Sequence, residues 1–136
     1  MEDVRTPLGV KLLAGFFAFG AAMCLLTLIL LIFPGSALDP LWRINPEAQR
    51  SFRELGKWSL LLMTTVGLAC GLAAVGLVRR CPWGREIALV VLIVNLLGDT
   101  TNAFLRNDYR TLIGLPIGGA MVAYLFSDGV RRVFTR

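Results

Sequence analysis

The chain has no histidine, only three cysteines, and little charge: Asp, Glu, Lys and Arg make up 17% of its 136 residues. Without histidine, haem ligation by imidazole, the usual zinc sites and the commonest general base are excluded. Cys24, Cys70 and Cys81 lie far apart with no C-x-x-C spacing, so they read as small buried hydrophobes and not as a redox pair or metal ligands. No two carboxylates stand at catalytic spacing, and no serine or cysteine has the neighbours that would activate it. An enzyme is therefore not expected, nor a cofactor, nor a bound metal. The net charge of +5 comes without a basic face carrying interleaved aromatics, which excludes a nucleic-acid partner. Nor is there an internal repeat that would support an inverted-repeat transporter.

What the chain does have is apolar length. It is 56% hydrophobic, with a mean hydropathy of +0.69. The apolar residues fall in four runs, 12–33, 58–78, 87–105 and 111–127, each close to the length that crosses a bilayer. The expected fold is an all-α membrane protein: one domain over residues 1–136, built as a four-transmembrane-helix bundle. The first run is too long for a signal-peptide core and is followed by Phe33-Pro34-Gly35, so it is expected to stay on the protein. Between the first two runs, Asn45-Pro46-Glu47 is a helix start: a capping Asn, Pro at the first position, an acid in the first turn. Ala48, Phe52 and Leu55 then share one face and Glu47, Arg50, Arg53, Glu54 and Lys57 the other. That pattern predicts a short amphipathic helix at about 46–56, at the bilayer surface, with Trp42 and Trp58 suited to the interface.

Small residues mark the helix faces that can approach closely. Lys11, Gly15, Ala18 and Ala22 lie along one side of the first run, and Thr64, Gly67, Gly71 and Ala74 along one side of the second, with Gly67 and Gly71 in GxxxG spacing. Residues 79–86 form a tight turn with three arginines. Asp108 is the expected N-cap of the fourth helix. In that helix Arg110, Gly114, Gly118 and Met121 share a face, and Pro116, which cannot donate to the carbonyl of Leu112, predicts a kink or local unwinding. With four spans both termini share a side. That side carries Arg5, Lys11, Arg79, Arg80, Arg85, Arg131, Arg132 and Arg136, against Arg43, Arg50, Arg53, Lys57, Arg106 and Arg110 on the other. The larger set also sits in short segments beside helix ends, so the termini are expected in the cytoplasm.

The third run holds the only acid in any of the four, within Asn95-Leu-Leu-Gly-Asp99-Thr-Thr-Asn102. At 100° per residue Asn95, Asp99, Asn102 and Arg106 fall within roughly 60° of arc, and Gly84, Ala88 and Val91 continue that side. Asp99 would stand roughly 20 Å into a ~30 Å core. Such a charge costs several kcal/mol in hydrocarbon and normally faces protein or water. One reading is a structural cluster, in which Arg106 or Arg110 folds back to pair with Asp99, Asn102 bridges, and Asn and Thr groups bond across helices. The alternatives are an ion or proton site centred on Asp99, with carbonyls freed by Pro116 beside it, or a lipid- or quinone-type ligand in a groove beside the fourth span.

The run from Asn95 to Asn102, followed by Arg110-Thr-Leu-Ile-Gly-Leu-Pro-Ile-Gly-Gly119, resembles the C-terminal half of small four-span proteins of bacterial inner membranes. The likeness lies mainly in residues 83–125. It implies an architecture and a membrane address and brings no substrate with it. The function expected is that of a small accessory or assembly subunit of a larger membrane complex, or of a homo-oligomer. Its further partner is the bilayer itself, through anionic headgroups at the basic loops.

Overall fold

A computed structural model describes residues 5–107 and 109–135; the expected cap Asp108 lies outside the described residues. The described residues are almost entirely helical, with no strand. Six α-helices follow in order: α1 (Leu8–Ile32), α2 (Pro46–Leu55), α3 (Lys57–Val78), α4 (Pro82–Arg106), α5 (Gly114–Phe126) and α6 (Asp128–Phe134). Three of them, α1, α3 and α4, are long and apolar enough to cross a membrane. α5 is an apolar helix of 13 residues, preceded by a 3-10 helix of 5 residues, Tyr109–Ile113.

Local chemistry sets the boundaries. α1 begins at Leu8, ahead of the charge-free run, because the Pro7 carbonyl accepts from the amides of Val10 and Lys11. A lysine ends an apolar run but does not end a helix. α4 likewise starts at Pro82, whose fixed φ suits the first helical position, and stops at Asn107 in the left-handed conformation. Between α3 and α4 the chain reverses through the paired bonds of a left-handed C-cap. The amide of Cys81 donates to the Gly76 carbonyl at 2.9 Å and that of Arg80 to the Leu77 carbonyl at 3.2 Å. Arg80 holds the left-handed position with φ 56°, where glycine is usual. Its guanidinium donates twice to Thr6 Oγ1, at 3.1 and 2.7 Å, tying the turn to the start of α1.

The amphipathic helix forms where the pattern placed it. Asn45 Oδ1 accepts from the Ala48 amide at 3.1 Å, and Pro46 and Glu47 fill the first turn. Phe52 packs on Trp42, ring centroids 6.0 Å apart. Gly56 alone separates α2 from α3, at φ 57° and ψ −127°, a conformation closed to side chains with a Cβ. It makes a corner that turns the polar helix off the apolar one.

The break expected at Pro116 is absorbed upstream. The chain runs as a 3-10 helix to Ile113, and Pro116 then falls in the first turn of α5, where a missing N–H costs nothing. α6 is not foreshadowed in the sequence reading. Its Val130 and Phe134, four apart, are buried, while Arg131 and Arg132 stay exposed.

The core is lopsided. Val10, Leu13, Ala14 and Phe17 of α1 meet Cys70, Ala73 and Leu77 of α3, Ala88, Leu89 and Leu92 of α4, Leu125 of α5, and both buried residues of α6. All lie toward the end of the bundle that bears the α3–α4 turn. Toward the opposite end, where α2 sits, the buried residues are few: Leu30, Ser59 and Ala103. α1 packs along α3, α3 against α4, and α4 against α5.

Candidate functional site

The polar edge of α4 lies in the sparsely packed half. Ala88, Leu92, Leu96, Asp99 and Ala103 on this helix are each buried or half-buried, spaced four, four, three and four apart. That spacing makes one continuous face, and α5 packs on it. Gly118 is so close that an added Cβ would sit 2.7 Å from Leu96 Cδ2; at Gly114 it would sit 3.4 Å from Asp99 Oδ2. The carboxylate therefore faces Gly114 across a space that would just admit a methyl group. Asn102 is half-buried, and Asn95, about 60° round the helix from Leu92, is exposed. The stripe is thus divided: Asp99 and Asn102 are partly covered by their own chain, Asn95 and Arg106 are not.

Asp99 does not pair with Arg106. Among the described residues it makes no hydrogen bond or ion pair. Arg106 stands seven residues on, about 10 Å along the axis, and its Nη1 donates instead to Ser51 Oγ of α2 at 3.3 Å. Nor do the threonines bond across helices. Thr100 and Thr101 donate to the Leu96 and Leu97 carbonyls of their own turn, at 2.7 and 2.8 Å, as Thr64 and Thr65 do on α3. A hydroxyl satisfied four residues back needs no partner on another helix. The expected network across helices is therefore replaced by local bonds, and Asp99 is left over.

Beyond Asp99, at the α2 end, Arg106 and Arg110 line a cavity of about 740 Å3 with Glu47, Arg50 and Glu54 of α2 and with Asn107. The amphipathic helix thus turns its charged face toward the outer end of the polar edge. Three guanidinium groups and two carboxylates offer donors and acceptors to a small polar or zwitterionic molecule. Among the described lining residues the hydroxyl of Ser51 accepts from an arginine.

The packing glycines divide as well. An added Cβ at Gly67 would meet Cys24 Cβ of α1 at 3.1 Å, whereas Gly71 has nothing within 4 Å. One close backbone approach between helices is not singled out by the spacing. Gly76 of α3 and Gly84 of α4 touch backbone to backbone beside the turn. In the sequence Arg85 counts only as a topology charge. Its Nε donates to the Leu125 carbonyl at 2.9 Å, and its guanidinium lies 5.7 Å from the centroid of the Phe126 ring. A cation at the end of α5 also complements the helix dipole there. Arginines in a membrane-edge turn that bind carbonyls and those that merely flank it look alike in a sequence. Only the pairing of small residues on both sides of the turn hinted at the Gly76–Gly84 contact.

The chain matches no protein-family model, no curated protein and no solved structure.

Proposed function

We propose that the chain is a non-enzymatic, multi-pass protein of a bacterial cytoplasmic membrane that works in association. It would serve either as a small accessory or assembly subunit of a larger membrane complex or as a homo-oligomer. One observation carries the reading. At span depth, α4 presents an exposed Asn95 and a half-exposed, unpartnered Asp99 along an edge its own chain does not close. Uncovered polar groups in hydrocarbon cost several kcal/mol. A helix from another chain laid along that edge removes the cost and supplies the missing hydrogen bonds.

Four crossings fit the dimensions. α1, α3 and α4 have the length alone. α5 rises about 20 Å, and the 3-10 helix before it adds about 10 Å, so together they match a ~30 Å core. The arginines at 79, 80, 85, 131 and 132 gather at the end with the α3–α4 turn, which is the end we place in the cytoplasm. The many exposed apolar side chains, Leu12, Phe19, Leu68 and Leu97 among them, are then the lipid-facing surface.

Native mass spectrometry of the gently solubilised protein tests the proposal. The expected species exceeds one chain of 14.9 kDa, as a multiple of it or with a constant partner mass. Asn95→Leu should shrink that species while the single chain stays folded. A wild-type protein that flies only as one chain would contradict association.

One observation favours a second reading, an ion- or proton-coupled transporter. Asp99 is unpartnered, and a polar cavity lies on its α2 side. Against it stands the tight packing of Phe17, Leu77 and Leu125 at the other end. Under this reading Asp99→Asn abolishes pH-dependent flux in proteoliposomes, and unchanged flux removes it.

A further inference from the structure

Two apolar grooves run along the bundle. One, of about 510 Å3, lies between α1 and α5 and has no charged residue in its lining. The other, of about 540 Å3, lies between α1 and α3 at the α3–α4 turn end, and its floor is small: Ala14, Gly15, Ala18 and Ala74. Lys11 and Arg79 also line it. Both are exposed, and among the described residues neither side chain has a hydrogen bond or ion pair, whereas Arg80 is bonded to Thr6 and Arg85 to Leu125. Gly15 does not serve helix contact, because a Cβ there would meet nothing within 4 Å. Its bareness keeps the hollow open. Along α1 the lining runs from Lys11 to Ala18, about 10 Å of rise, so one end is cationic and the rest is smooth and apolar.

We propose that this groove binds one anionic glycerophospholipid. Its phosphate sits between the Lys11 ammonium and the Arg79 guanidinium, and one acyl chain lies over Gly15, Ala18 and Ala74. The shape and the charge agree. Basic pockets between helices on the cytoplasmic side select anionic headgroups, and a floor of Gly and Ala gives a methylene chain close contact along its length. The other groove lacks the cations and would take a chain without choosing a headgroup. This inference rests on the membrane reading above and not on association.

The experiment is native mass spectrometry of the wild-type chain in mild detergent, titrated with phosphatidylglycerol or phosphatidylcholine of the same acyl chains. Wild type should retain one phosphatidylglycerol in preference to phosphatidylcholine. The preference should fall about 5-fold for Lys11→Gln or Arg79→Gln and about 30-fold for the pair. Gly15→Leu, whose Cβ meets nothing within 4 Å, should fill the hollow, lower retention of both lipids and leave the lipid-free melting midpoint unchanged. Millimolar inorganic phosphate should not displace the lipid. Equal retention of both lipids by wild type, wild-type retention by the variants, or displacement by phosphate alone would each overturn the proposal. A chain that stays in the aqueous phase without detergent would instead sink the membrane reading, so the two failures are distinct.

Discussion

Gly76 of α3 and Gly84 of α4 are pressed together so closely that a Cβ on either would overlap the backbone of the other. The two residues flank the turn, and both are buried. This contact is the anchor of the packed half of the bundle. Between apolar helices in hydrocarbon, association rests on van der Waals contact and close backbone approach more than on the exclusion of water.

Gly76→Ala and Gly84→Ala should therefore each cost about 1–3 kcal/mol, since backbone cannot move aside as a side chain can. Gly118→Ala should cost less, because Leu96 can swing its Cδ2 away. Gly119→Ala, with open space around it, should be neutral or slightly stabilising. Thermal melts of the four variants in one detergent check the ranking; equal midpoints for Gly76→Ala and Gly119→Ala would contradict it.

Arg80 is held in the left-handed region while its guanidinium binds Thr6. Arg80→Ala loses the bonds and keeps the strained backbone. Arg80→Gly loses the bonds and relieves the backbone by about 1 kcal/mol. The glycine variant should thus melt above the alanine variant, the reverse of their order inside a helix. Thr6→Val should reproduce only the loss of the bonds.

Arg85 joins α4 to the end of α5 through the Leu125 carbonyl and the Phe126 ring. Arg85→Lys keeps the charge but not the planar group, and should recover less than half of the stability lost in Arg85→Ala, about 1–3 kcal/mol. Hydrogen exchange at the α5–α6 junction reports the effect locally; full rescue by lysine would show that charge alone matters there.

Asp99 faces Gly114 and, among the described residues, makes no hydrogen bond. If its partner comes from another chain, Asp99→Asn should preserve the assembled species, since the amide keeps an acceptor and the volume. Asp99→Leu should dissociate it and leave the single chain as stable as wild type or more so. Blue-native electrophoresis beside a detergent melt separates the two effects. Loss of single-chain stability in Asp99→Leu alone would place the carboxylate's role inside the protomer.

The helices, the Asn45 cap and the surface helix were legible because each is specified locally: a run of apolar residues, a side chain reaching its own first turn, a two-sided pattern over ten residues. α6 was missed because seven residues with two arginines read as a tail, and only its docking shows that Val130 and Phe134 form one apolar face. The polar edge was legible as a set but not as a site. Helical angles place Asn95 beside Asp99, but they do not say how far α5 reaches. α5 covers Leu96 through Gly118 and Asp99 through Gly114, and it stops short of closing over Asn95. Nor do helical angles say that Ser51, 55 residues away in sequence, comes within reach of Arg106 and accepts from it.

A nitroxide placed at residue 95 in membranes tests most directly whether another chain covers the polar edge. The comparison is with labels at Leu97 and Phe104, on the opposite side of α4 and 64% and 82% exposed. Labels at 97 and 104 should collide freely with oxygen dissolved in the lipid, while the label at 95 is shielded from it and becomes accessible when the assembly is dissociated. Equal oxygen accessibility at all three positions in the intact membrane would contradict association along this edge.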